Sequence, residues 1–209
     1  MERSSNLVGR LTGLATILGG LLWAIGGSIA LNSDMLGLKM KGPHLLFSVA
    51  GLLTFIGLVR LVRHQARHYG RASQVGAIIA SAGVVFIIAS KNVPASVSDE
   101  AAWNVFYLGG FLLIIGSLLF GTVALRKSWH FGVPLLAIGV LSISTIAFLM
   151  GPFEVTGYVY VVTILLPTLI GLGWTALGYA LWSDETKASQ TPSELFKERY
   201  ARGEISRAK

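Results

Sequence analysis

Two histidines, His64 and His68, stand four residues apart in the basic stretch Arg60–Arg71. On a helix that spacing puts both on one face, where they could ligate a metal ion or a haem iron. Arg63 and Arg67 crowd the pair, and their positive charge opposes a cation. No carboxylate is near in sequence to offset it. Asp99, Glu100 and Glu154 could serve as general acid or base if a dry pocket held them, with Asn104 and His44 alongside. Loop acids of this kind are by default solvated. The patterns His-Glu-x-x-His and Gly-x-Ser-x-Gly are missing, as is a glycine-rich phosphate loop. The chain has no cysteine, so it has no thiolate nucleophile, disulfide or Cys-bound metal. These residues predict no catalytic group, no metal ligand and no cofactor, and an enzyme is the least supported class.

A different group could bind without reacting. Ser142, Ser144 and Thr145 are the polar cluster deep in a long apolar run. Pro167, inside another run, removes a helix hydrogen bond and kinks the rod. Together they could line a cavity for a neutral or lipophilic molecule, with Thr163, Thr168 and Thr175 facing it. Hydroxyls in membrane helices also bond their own backbone or a neighbour.

The elements that hold these residues follow from composition. Of 209 residues, 53% are hydrophobic and 13% charged, and mean hydropathy is +0.67. Soluble domains carry about 25% charge. A span needs about 20 apolar residues, and the chain predicts six: Leu11–Leu31, Pro43–Val62, Ser73–Ser90, Trp103–Leu125, Gly132–Met150 and Tyr158–Trp182. The predicted fold is an all-α, six-helix transmembrane bundle over residues 1–182. Residues 183–209 form a tail with a short amphipathic helix. No Asp, Glu, Lys, Arg or His lies deep inside a span, whereas ion and proton carriers keep such groups in the bilayer.

The net charge of +7 reads as topology rather than nucleic-acid binding. Of 17 Lys and Arg, fourteen fall on one predicted side, and only Lys39, Lys41 and Lys91 on the other. Basic loops stay cytoplasmic, which predicts a multi-pass protein of the cell membrane with both termini cytoplasmic and Arg60–Arg71 as an inner turn.

Small residues recur at three- and four-residue steps, as close helix packing requires. Gly13 and Gly20, Gly76 and Gly83, and Gly132 and Gly139 are each seven apart. Gly51 and Gly57, and Gly110 and Gly116, are six apart. This predicts three tandem hairpins. In the tail, Thr191 can cap a helix, Pro192 suits its first position and Glu194 completes a capping box. Leu195, Phe196 and Tyr200 form its apolar contact face, and Gly203 ends it.

The tail segment Glu194–Ser206, with Leu195, Phe196, Tyr200 and the turn Arg202–Ile205, resembles the short C-terminal domain (SHOCT-like) of many prokaryotic membrane proteins. That resemblance implies an oligomerisation or interaction element. The membrane part, closest over Leu58–Gly83, resembles uncharacterised bacterial six-span proteins and, loosely, acid-resistance membrane proteins built from hairpin repeats. Neither resemblance implies a catalytic motif. The sequence therefore predicts an interaction or assembly (scaffold) subunit whose partners are the lipid bilayer and other membrane proteins or itself. The alternative is a carrier of a neutral small molecule.

Overall fold

The structure, a computed structural model, describes residues 2–35, 41–64, 70–92, 94, 98–126, 128–150 and 157–188. Among these nearly all are helical and none is in a strand. The helices are α1 (Glu2–Met35), α2 (Lys41–His64), α3 (Arg71–Lys91), α4 (Asp99–Leu125), α5 (Trp129–Met150) and α6 (Gly157–Ala188). Each contains a stretch of 19 to 27 residues long and apolar enough to cross a membrane. The chain is a six-span, multi-pass membrane protein.

Helix is the form these sequences must take in lipid, because each backbone N–H and C=O finds its partner within the same segment. Among the described residues irregular backbone is confined to the helix ends. α4 starts at Ser98, whose Oγ accepts the Ala101 N–H at 3.2 Å, with Asp99 and Glu100 in the first turn. Carboxylates there favour the positive pole of the helix. The two acids thus serve a helix start. α3 begins after Gly70, whose φ of 97° is open to glycine at little cost. α3 ends at Asn92, which donates to Ile88 O at 2.7 Å and to Ser48 Oγ on α2 at 2.8 Å.

Each helix packs on its neighbour in the chain, and α6 returns to α1, closing a ring. The α1–α6 and α3–α4 seams are the most extensive, and α2–α3 is the thinnest of the six. Lipid offers no hydrophobic drive for helices to associate, so close packing must supply it. The glycines show where it acts. A Cβ built on Gly13 would lie 2.7 Å from the Trp182 backbone nitrogen. On Gly20 it would lie 2.5 Å from Thr175 N and 2.6 Å from Gly171 O. On Gly76 it would meet Phe120 N at 2.8 Å, and on Gly83 Leu113 N at 2.5 Å. Gly132 abuts the backbone of Leu125, and Gly139 abuts the Leu118 side chain at 2.8 Å.

The seven-residue glycine pairs therefore serve different seams. Those of α1 meet α6, while those of α3 and of α5 both meet α4. The threefold hairpin repeat is not followed there. The six-residue pairs are equivalent: Gly51 meets Ile88 on the following helix and Gly57 meets Thr16 on the preceding one, as Gly110 meets Ile146 and Gly116 meets Ala80.

The interior holds Leu58, Leu61, Leu113, Phe120, Leu135, Ile138, Trp174 and Leu177, all with almost no exposure. Leu11, Leu18 and Ile25 of α1 are over half exposed, as lipid-facing side chains are. Arg10, Arg60, Arg63, Arg71 and Arg126 gather at one end of the ring, because successive helices run antiparallel.

Several boundaries differ from the sequence reading. α1 continues past Leu31, so Asn32 is a helix residue rather than the start of a loop. α5 begins at Trp129, so Pro134 is inside the helix, where it supplies no N–H to the His130 carbonyl. α6 also runs on past Trp182 to Ala188.

Candidate functional site

All six helices contribute to one central void, near the end where α1, α3 and α5 finish. Its volume is about 40 Å³. Ser142 and Thr145 of α5 and Pro167 of α6 line it, with Trp23, Phe47 and Phe106 among the aromatic walls. The Trp23 and Phe47 rings lie 4.6 Å apart, tilted by 41°. Ser142 is 5% exposed, and its Oγ has no hydrogen-bond partner. Thr145 donates to Leu141 O at 2.9 Å. Ser144 lies outside the void: it is exposed and sits 3.4 Å from Val140 O. A water needs about 10–15 Å³ of such space, so the void has room for a few waters. Sites for drug-sized ligands occupy about 300–1,000 Å³.

None of the α6 hydroxyls expected beside Ser142 lines the void: Thr163 bonds α1, while Thr168 and Thr175 donate to carbonyls of their own helix. Thr163 Oγ1 donates to Asn32 Oδ1 at 2.9 Å, and Asn32 donates to Ser28 O at 2.7 Å. Ser28 Oγ shares its proton between Ala24 O at 2.6 Å and Ile164 O at 3.1 Å, and lies 3.5 Å from Thr168 Oγ1. Thr175 donates to Gly171 O at 2.9 Å beside Gly20. This is a polar clasp on the α1–α6 seam. Asn32 and Ser28, four apart on one face, were the sequence signal for it. Ser117 Oγ and Trp174 Nε1 are two further buried groups without a partner, and no sequence feature singled them out.

A second, larger space opens at the opposite end, where α5 begins and α6 finishes. It measures about 430 Å³ and is lined by Trp129, His130, Pro134, Ala176, Tyr179 and Ser183, among others. Two cations sit on aromatic faces at the bundle ends. Arg10 lies 5.9 Å from the Trp182 ring, and Lys91 lies 4.8 Å from Trp103 and 5.3 Å from Phe106. Such contacts stabilise by about 0.5–2 kcal/mol, depending on desolvation.

Among the described residues no cluster of three His, Asp or Glu could hold a metal ion. His130 is exposed beside the larger space. His64 closes α2, and His68, Glu154, Leu195, Phe196 and Tyr200 lie outside the described residues. No protein-family model matches the chain, nor does any curated protein or solved structure with which it was compared.

Proposed function

We propose that this chain is a non-enzymatic membrane assembly subunit: a rigid six-span bundle that associates with other membrane proteins or with itself. The observation that carries this reading is how the interior is spent. Backbone meets backbone along the α1–α6 and α3–α4 seams, and the space enclosed by all six helices is about 40 Å³. That leaves the outer faces and the tail to make the contacts that matter. The tail's resemblance to short C-terminal interaction elements points the same way, with Leu195, Phe196 and Tyr200 as the contact face. In this reading the basic end of the ring is cytoplasmic, in the cell membrane.

A second reading has its own support. Ser142, Thr145 and Pro167 come from two helices to one void, which suits a small neutral ligand if the bundle opens. One experiment separates the two. The protein is purified in mild detergent, and its mass and companions are read by native mass spectrometry. The same is done after deleting Ser193–Lys209 and after Ser142→Leu, which fills the void. The assembly reading expects an oligomer or a stoichiometric partner, weakened by the deletion and untouched by Ser142→Leu. It fails if the wild type is a lone monomer, or if Ser142→Leu rather than the deletion abolishes the associated mass.

A further inference from the structure

Hydroxyls in this bundle commonly bond back to their own helix. Ser81, Thr122, Thr145 and Thr168 each donate to the carbonyl four residues earlier, at 2.7 to 2.9 Å. That bond commits the proton and quiets the hydroxyl in an apolar setting. Ser142 does not make it. Its Oγ is buried and has no partner on the protein. Among the described residues two other buried side-chain atoms share this condition, Ser117 Oγ and Trp174 Nε1. Neither of those residues lines the central void, whereas Ser142 does. The Ser142 proton is therefore left for whatever the void holds.

The rest of the lining selects the occupant. Trp23, Phe47 and Phe106 form walls, and no Asp, Glu, Lys, Arg or His lines the void. An ion there would lose its hydration with no countercharge to replace it, so ions are excluded. Water fits by size but needs about two to four polar partners. Ser142 and the lone pairs of Thr145 Oγ1, whose own proton goes to Leu141 O, could hold one water between them. The aromatic walls offer further waters nothing. A molecule with a single oxygen on a short apolar body suits both parts of the lining. The void, at about 40 Å³, has room for about three water-sized groups.

We propose that the central void is a binding site for a small uncharged molecule with one oxygen acceptor on an apolar body of about three carbons, such as a short-chain ketone or alcohol. Ser142 Oγ donates to the oxygen, and Trp23, Phe47 and Phe106 enclose the body. This site gives the second reading above its ligand class and rests on the void which that reading uses. The outer faces needed for assembly are untouched by it.

Acetone is the probe, with acetate as its ionised isostere and 2-methylpropene as its apolar one. The full chain is placed in nanodiscs with isotope-labelled isoleucine δ1-methyls and followed by NMR. Ile87, Ile146 and Ile170 line the void. Ile25 and Ile78 are over half exposed on the outer surface and report simple partition into lipid. Acetone should shift the first three methyls saturably, with a Kd of about 1 mM, within reach of so small a ligand. Acetate should shift none of them. Ser142→Ala, expected to be as stable as wild type without ligand, should weaken acetone about two- to tenfold and leave 2-methylpropene unchanged. Ser142→Leu, which fills the void, should abolish both.

The site is refuted if acetone gives no saturable shift at the three methyls, or if acetate binds as acetone does. It is equally refuted if Ser142→Ala weakens both uncharged probes alike or neither, since the hydroxyl would then select nothing. Acetone binding that persists in folded Ser142→Leu would place the ligand elsewhere. The second reading is decided separately, by what copurifies: a companion molecule lost in Ser142→Leu would uphold it for another ligand even where acetone fails.

Discussion

Gly83→Ala adds a single methyl group to the α3–α4 seam, and its effect can be worked from the structure. The new Cβ would stand 2.5 Å from Leu113 N, 2.7 Å from Gly109 O and 2.9 Å from Leu113 Cα. Ordinary contact begins at 3.4 Å, so the helices must part by about 0.9 Å. All three atoms met are backbone, and none can rotate aside. A gap of about 0.5–1 Å forfeits about a quarter to a half of each neighbouring dispersion contact. Overpacking of this kind costs about 1–3 kcal/mol, and rigid backbone argues for the upper half. Alanine returns about 1 kcal/mol of helix propensity. The expected net loss is therefore about 1–2 kcal/mol. Gly27→Ala is the control. Its Cβ would meet Phe47 and Pro167 side-chain atoms at 3.2 to 3.4 Å, which need yield only a few tenths of an ångström, so it should be close to neutral. Unfolding of both variants in mixed micelles of rising SDS fraction, followed by far-UV circular dichroism, gives the two values. The packing account is wrong if Gly83→Ala is as stable as wild type, or if it loses no more than Gly27→Ala.

Three further outcomes are expected. Asn32→Ala and Thr163→Ala should each destabilise by about 0.5–1.5 kcal/mol, with a double-mutant coupling near 0.6 kcal/mol, and additive effects would dissolve the clasp. Ser142→Ala should change stability by less than about 0.5 kcal/mol, because the hydroxyl it removes has no partner; a loss above about 1 kcal/mol would mean that something in the void bonds to it. In intact cells a membrane-impermeant maleimide should label Ser98→Cys but not Arg126→Cys, and the reverse pattern would turn the protein over in the membrane.

The number of helices was legible because each is a long apolar run, and length alone separates a span from a soluble helix. Helix ends were less so. A span of bilayer thickness ends near Leu31, while α1 carries on through Asn32 to Met35. Seam partners could not be read at all. A glycine states that something comes close, not what: Gly13 meets Trp182, at the far end of the chain. That choice is made by ring closure, a property of all six helices at once. The turn of Thr163 toward Asn32 has the same origin. The Ser98 cap is readable from Ser-Asp-Glu at 98–100, a helix-start signature that accounts for the two acids without any chemistry. The larger space between α5 and α6 had only indirect signals, Pro134 opposite Ala176 and Ala180, because its volume depends on how far two helices splay.

The pairing of α1 with α6 sets an order of events during biosynthesis. The glycine face of α1 is made first, and its partner last. Between Gly20 and Gly171 the ribosome must add some 150 residues, which at about 5–20 residues per second takes about 8–30 seconds. For that interval Gly13, Gly20, Ser28 and Asn32 are in the bilayer with their seam open. A nascent chain is then open to capture, by an insertion factor or by the α6 of a finished copy. The second route would exchange helices between two molecules and build a dimer with no surface beyond the one already inside the monomer. A chain truncated before α6 would keep that seam open for as long as it survives.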